Sequence, residues 1–335
     1  MAERIGKSTV RFSNKPSVIG YASVVGKKEF EGPLSGEFDT HDVDSRFGEK
    51  SYEKAESRMQ KIAVETALHK AKLSEKNIDI IFAGDLLNQC VGSSFGLRAM
   101  GIPFAGIYGA CSTMTLGIIL ASLCVDSGAA NISAAVTSSH FCSAERQYRY
   151  PLEYGSVRPQ SAQWTVTGSG ASIISKSESK PYIDKATVGK ITDLGVKDAN
   201  NMGAAMAPSA AGTLMEYFTD TGTKPDDYDA IFTGDLGRVG TDLLYYLTEQ
   251  NGYFIRDRHE DCGLLIFDRK SQDVHAGGSG CGCSASVLNS YVFHRFENGL
   301  YKNILFMSTG ALLSPTSTMQ GESIPGISHL VNIRI

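Results

Sequence analysis

The residue best placed to do chemistry is Cys111, within the stretch Ile107 to Asp126, IYGACSTMTLGIILASLCVD. It follows a small, turn-like Gly109-Ala110 and precedes Ser112 and a run that is apolar almost all round: Met114, Leu116, Ile118, Ile119, Leu120 and Leu123. A helix without a polar face belongs in the middle of a large core. Gly117, Ser122 and Asp126 interrupt the run and no basic flank marks its ends. The pattern therefore predicts a buried central helix, not a membrane span of ~20 apolar residues. Cys111 then stands at a first helical turn. Unsatisfied N–H groups and the positive end of the helix dipole lower a thiol pKa there and also attract anions. Two chemistries follow: a nucleophilic thiolate, or a helix start (Gly109 to Ser112) that grips a negatively charged ligand.

The other chemistry-bearing residues give weaker signals. Arg146, Arg149 and Arg158 accompany a Tyr-rich segment that holds the sole tryptophan, Trp164. Guanidinium forks there suit bidentate clamping of carboxylates, and an interface loop or a solvated face has the same composition. Trp164 taken alone reads as core packing. Cys281 and Cys283 form a C-x-C pair, a weak metal signal. His275 opens HAGGSG, a Gly-rich turn without the Lys-Ser/Thr ending of a phosphate loop. No cofactor motif and no metal-ligand set is read.

The elements that must position these groups follow from periodicity. Val18 to Val25 reads as a strand and Glu31 to Lys50 as a loop. Ser51 to Lys72 reads as a helix capped by Ser51, with Met59, Ala63, Ala67 and Ala71 on one face. Asn77 to Leu86 and Ile132 to Val136 read as buried strands, and Trp164 to Ser175 as a strand pair or a bulged strand. A chain of 335 residues, 42% hydrophobic and with a net charge of -4, is too long for one small core and lacks the basic excess of a nucleic-acid binder. Seven cysteines without metal-type spacing fit a reduced, cytosolic compartment. The N-terminal twenty residues contain no apolar signal-peptide core.

The pattern then repeats. Ile80-Ile-Phe-Ala-Gly-Asp-Leu86 returns as Ala230-Ile-Phe-Thr-Gly-Asp-Leu236. Cys111-Ser112 aligns with Cys283-Ser284, and Asn131-Ile132 with Asn303-Ile304. This predicts an internal duplication, residues 1–178 and 179–335, with a boundary near Ser177 to Pro181. Each half alternates strands and helices, which implies an α/β protein with mostly parallel sheets and two buried helices between them.

A duplicated α/β chain with a cysteine at the start of a buried helix resembles the thiolase and ketoacyl-synthase superfamily. The strings YGACSTMTLG, QYRYPLEYGSVRPQSAQWTVTGSGA, IFTGDLGRVG, GGSGCGCSAS and STGALLSP resemble, more narrowly, the stage V sporulation protein AD family, over roughly Ser17 to Ile335. The resemblance implies a thiolase-like, five-layer α-β-α-β-α fold and a homodimer paired through the strand after the nucleophile helix. It also implies a role in spore formation and binding of dipicolinate (pyridine-2,6-dicarboxylate), which enters the developing spore with calcium. The implied partners are other membrane proteins of the SpoVA type, and the implied location is cytoplasmic, peripheral to the inner forespore membrane.

Superfamily chemistry pairs the thiol with His/His or His/Asn from the second half. The matching positions here fall near Asp235 and Cys281, neither of them His or Asn. This departure points away from acyl transfer, with a Cys-dependent acyltransferase of the ketoacyl-synthase III type or a purely structural docking protein as alternatives. The implied ligand site comprises Cys111, Ser112, His140, Arg146, Arg149, Trp164, Asp235, Cys281, Thr309 and Ser314. His275 is the nearest stand-in for a displaced base.

Overall fold

The computed structural model describes residues 2–148, 157–177 and 179–335. Ten strands carry the architecture: β1 (Ser17–Val25), β2 (Ile80–Gly84), β3 (Phe104–Gly106), β4 (Ile132–Ser139), β5 (Gly168–Ser175), β6 (Tyr182–Val188), β7 (Ala230–Thr233), β8 (His259–Asp261), β9 (Asn303–Ala311) and β10 (Gly326–Arg334). They run side by side in the order β8-β7-β9-β10-β6-β1-β5-β4-β2-β3. The first five strands of the chain and the last five thus have the same spatial order, 1-5-4-2-3 and 6-10-9-7-8. The pairings match as well. β1 with β5 and β5 with β4 are antiparallel, and β4 with β2 and β2 with β3 are parallel. Each has its counterpart among β6 to β10. The repeated IIFAGDL and AIFTGDL strings fall on the equivalent strands β2 and β7.

Each group is therefore half parallel and half antiparallel, not mostly parallel as the alternation suggested. The last strand of each group, β5 or β10, runs against both of its neighbours and adds two antiparallel pairs. Antiparallel strands need no helical crossover, so the βα alternation was a poor guide to their direction. The pair Tyr182 opposite Ser17 joins the two groups into one sheet, and the N-terminal strand Thr9–Arg11 adds three pairs with β6.

Six helices complete the layers: α1 (Tyr52–Lys70), α2 (Thr113–Ser127), α3 (Phe141–Tyr148), α4 (Met202–Thr221), α5 (Gly237–Glu249) and α6 (Cys281–Val287). α1 begins at Ser51, whose side chain accepts the Lys54 N–H, and covers the outer face of β1, β4 and β5. α4 covers the outer face of β9, β10 and β6. α2 and α6 lie in the middle and each packs on strands of both groups. The result is helix, sheet, helix, sheet, helix. The apolar window 110–127 is long and apolar enough by composition to cross a membrane, yet 72% of it is buried inside the fold. Ile118, Ile119, Ala121 and Val125 of α2 meet Val287, Leu288 and Phe293 in the largest apolar cluster.

Three further expectations change. Trp164 to Ser175 is neither a hairpin nor one bulged strand: Trp164–Thr165 pairs in parallel with Gly278–Ser279, apart from β5. The Cys111/Cys283 alignment is off by about a turn, because the N-caps of the two central helices are Ser112 and Gly280. The strand after the nucleophile-position helix, β4, lies between β5 and β2 and offers no free edge. The open edge beside it is β3, with Phe104 42% exposed.

Candidate functional site

Cys111 stands one residue before the N-cap of α2, not within its first turn. The chain reaches it through Ala110 in the left-handed region, φ 50°, a conformation that costs a residue with a Cβ. The following hydroxyls hold this turn. Ser112 donates to the Gly109 carbonyl through both Oγ (2.6 Å) and N (3.0 Å). Thr113 Oγ1 donates to the Ala110 carbonyl (2.6 Å) and accepts the Gly109 N–H (3.1 Å). Short hydroxyl side chains satisfy carbonyls that the helix ladder cannot reach. Ser112 is therefore part of the turn, and its hydroxyl is occupied. Across from it, β9 passes so close at Gly310 that a Cβ there would lie 2.6 Å from the Gly109 oxygen.

Cys111, 5% exposed, sits in the wall of a narrow cleft with a cavity volume of about 30 Å³. Leu86, Ala144, Met202, Ala311 and Leu313 make the cleft apolar. Tyr108, Tyr148, Thr165 and Ser279 supply its polar atoms. The Tyr108 and Tyr148 hydroxyls are 3.3 Å apart, and Tyr148 donates to the Leu86 carbonyl. An outer hollow continues past Tyr108, Tyr148 and Leu313 to Cys90, Ser314 and Pro315.

The second half supplies the groups behind the sulfur. Asp235 follows β7 and is fully buried. Its carboxyl accepts Thr309 Oγ1 (2.7 Å), Ser279 Oγ (3.2 Å) and the Gly280 N–H (2.9 Å). It also faces the Cys111 sulfur. Burial pushes Asp235 up to about 7, against the pull of those hydrogen bonds. Cys281, the first residue of α6, shares an apolar cluster with Cys111, Leu86 and Ala144, and its thiol donates to the Ser138 carbonyl (2.9 Å). The Cys111 thiol is pushed well above its ordinary value, first by burial, then by Asp235 and by Cys281. This reverses the lowering expected from a helix start: burial, with a carboxyl facing the sulfur, outweighs the end of the dipole. Both effects favour the protonated thiol.

The structure thus brings together Cys111, Asp235, Cys281 and Thr309, with Ser314 at the mouth. It does not bring the others. His140 is buried elsewhere: Nε2 meets the Ser45 carbonyl at 2.8 Å, Nδ1 accepts the Cys142 N–H at 3.2 Å, and burial keeps the ring neutral. Arg146 pairs with Glu53 (3.2 Å) on the face of α3 opposite Ala144 and Tyr148, which point into the cleft. Trp164 stacks on Phe141 at 3.7 Å, because strand alternation turns its neighbour Thr165 to the cleft and Trp164 away. Arg158 lies over Trp164 and pairs with Asp273 at 2.9 Å. Arg149 lies outside the described residues. His275 bonds the Pro159 carbonyl (2.8 Å) and Asp273 (2.9 Å). His259, His294 and His329 also have their partners away from Cys111.

Asp85, the counterpart of Asp235 in the first half, holds a turn. It accepts the N–H groups of Leu87 and Ser93 and the Ser93 hydroxyl. Sequence reasoning missed the cleft walls: Tyr108 and Tyr148 flank the quoted motifs but have no unusual spacing, and Met202 and Leu313 carry no signal.

A thiol before a central helix, faced by the ends of β7 and α6 from a duplicated half, defines a thiolase-like fold. Solved structures agree on the fold. The 3-oxoacyl-[acyl-carrier-protein] synthase III of Aquifex aeolicus VF5 matches at TM-score 0.59 and 16% identity, over 96% of this chain and all of that one. A variant of OleA from Xanthomonas campestris matches at TM-score 0.61 and 13% identity, over 97% and 99%. The family model described as Stage V sporulation protein AD matches residues 6–334. Stage V sporulation protein AD of Bacillus subtilis (strain 168) is 45% identical over 324 residues, 97% of this chain and 96% of that protein. The chain belongs to the stage V sporulation protein AD family and is a sporulation protein.

Proposed function

We propose that this protein is a non-covalent receptor for dipicolinate, which it holds in the cleft beside Cys111 for uptake, with calcium, into the developing spore. In this reading it works at the inner forespore membrane beside membrane proteins of the SpoVA type, as a homodimer. One observation carries the choice of receptor over enzyme: the Cys111 thiol is buried beside a carboxyl, Asp235, and no histidine, lysine or arginine among the described residues of the cleft stands by to stabilise a thiolate. A buried thiol without such a neighbour is a poor nucleophile. The cleft walls are apolar with phenol hydroxyls among them, and in this reading they part to admit a small flat ligand, since the free space between them is about 30 Å³. The guanidinium clamps expected from Arg146 and Arg158 are engaged elsewhere. The Tyr108 hydroxyl is therefore the donor that the reading assigns to a ligand carboxylate.

Titration calorimetry with dipicolinate, with and without calcium, tests the proposal. Saturable heat that Cys111→Trp abolishes supports it, and no heat at millimolar ligand sinks it. Acyl transfer predicts instead a mass increase on Cys111 after incubation with acyl-CoA, readable on the intact protein.

A further inference from the structure

The cleft has no positive charge of its own. Among the described residues its walls contain no lysine, arginine or histidine. Behind two of its wall residues, Cys111 and Ser279, lies the Asp235 carboxyl, which accepts the Ser279 hydroxyl at 3.2 Å and faces the Cys111 sulfur. A dianion in this cleft and an ionised Asp235 would stand one side chain apart in a dry setting, where like charges repel strongly.

We propose that Asp235 determines which charge the cleft accepts: a dianionic ligand binds only to the form in which Asp235 carries a proton, so that binding from neutral or alkaline solution takes up a proton from the buffer. The inference rests on the receptor reading above and adds to it a residue that sets specificity from behind the wall.

The surroundings of Asp235 support this on every side. The loop before α2 presents the Cys111 thiol. The turn before α6 presents the Ser279 hydroxyl and the Gly280 N–H. α6 presents Cys281 and Cys283, and the segment after β8 presents Cys262. β9 presents Thr309. β8 presents Asp261, whose own carboxyl is held by Thr233, Leu236 and Gly237, with a neutral His259 beside Thr233. Beyond Cys281 lie Glu56 and Asp85. Apart from His259, which burial keeps neutral, every ionised form in this set is an anion, and no lysine or arginine is among these described residues. Asp235 thus has hydrogen-bond donors but no counter-ion. Burial sets its protonation near neutrality, at about 7, and a second negative charge in the cleft moves it further toward the protonated form.

The test is calorimetry of the full chain with dipicolinate as the probe, from about pH 6 to about pH 8.5, in pairs of buffers with different ionisation heats. Proton uptake is expected to rise from near zero at the acid end to about one at the alkaline end. Affinity is expected to fall about fivefold from pH 7 to 8 and about tenfold per pH unit beyond. Asp235→Asn removes both the uptake and the slope. Equal wild-type affinity at the two ends of the range overturns the inference. Uptake that survives in Asp235→Asn overturns the assignment to this residue and points to Asp261 or Glu56. If the variant does not fold, the wild-type series still decides whether binding is proton-linked. An absence of heat in every buffer removes the receptor reading and this inference together, whereas heat without uptake removes the inference alone.

Discussion

At the scale of single residues, the site turns on which partner the sulfur meets. A thiol beside an imidazole is drawn toward thiolate, whereas a thiol buried beside a carboxyl is held protonated. Cys111 is the second case, and its reactivity should show it. Iodoacetamide near neutral pH is expected to label Cys111 at least ~10-fold more slowly than the half-exposed Cys124 and Cys142, measured by peptide mass over time. Faster labelling of Cys111 would mean that its thiolate is populated. Asp235→Ala strands three donors, on Thr309, Ser279 and Gly280, in a dry site. It should cost about 2–4 kcal/mol in a denaturant titration. The importance of Asp235 and Cys281 was legible because each follows a repeated or Gly-rich motif. The errors at Arg146 and Trp164 share one cause: sequence proximity does not say which way a side chain points. On α3 the residues four apart, Ala144 and Tyr148, reach the cleft and Arg146 between them does not. On the short strand the alternation gives Thr165 to the cleft and Trp164 to Phe141. His140 carried a buried-residue signal and a catalytic one alike, and its two backbone partners resolve it as structural.

At the scale of elements, close backbone approaches hold the site in place. Gly310 on β9 lies against the Gly109 carbonyl of the Cys111 turn, and Gly170 on β5 lies against α6, where a Cβ would fall 2.2 Å from the Ala285 oxygen. The two contacts predict different outcomes. Gly170→Ala should lower stability by about 3 kcal/mol or more, since both surfaces are backbone within a packed layer. Gly310→Ala displaces the turn that carries Cys111. It should weaken dipicolinate binding about tenfold while shifting the melting temperature less than Gly170→Ala does, read by calorimetry and thermal unfolding in parallel. The helices and central strands were legible because apolar periodicity survives burial, as at Ser51–Lys70 and Ile80–Gly84. The direction of β5 and β10 was not. An antiparallel return leaves no trace in a run such as GSGASIIS, which reads the same either way.

At the scale of the whole molecule, negative charge is buried without positive partners. Glu29 is raised to about 7, Glu56 to about 8 and Asp261 to about 6, in each case chiefly by burial, alongside Asp235 at about 7. All four folded-state values lie above those of an unfolded chain. On these groups the native state therefore holds more protons. Below about pH 6.5 the buried His140, His259 and His329, all lowered by burial, oppose this by binding fewer protons in the native state; above it the carboxyls prevail, and stability falls as pH rises toward about 8. Thermal unfolding is expected to drop by about five degrees or more between pH 6.5 and 8.5. A melting temperature that rises over this range would contradict the burial of these groups. The duplication itself was legible from IIFAGDL and AIFTGDL, because the same strand does the same work in each group. How the groups meet was not, because that depends on the pair Tyr182 opposite Ser17 and on three pairs that the N-terminal strand Thr9–Arg11 makes with β6. With so short a ladder between them, cohesion falls mainly to α2 and α6, which each reach across to the other side. Two separately encoded polypeptides, one ending at Ser177 and one starting at Ser179, should then find each other when co-expressed and co-purify through a tag on either one. The fused gene would be a convenience of synthesis and not a requirement of assembly.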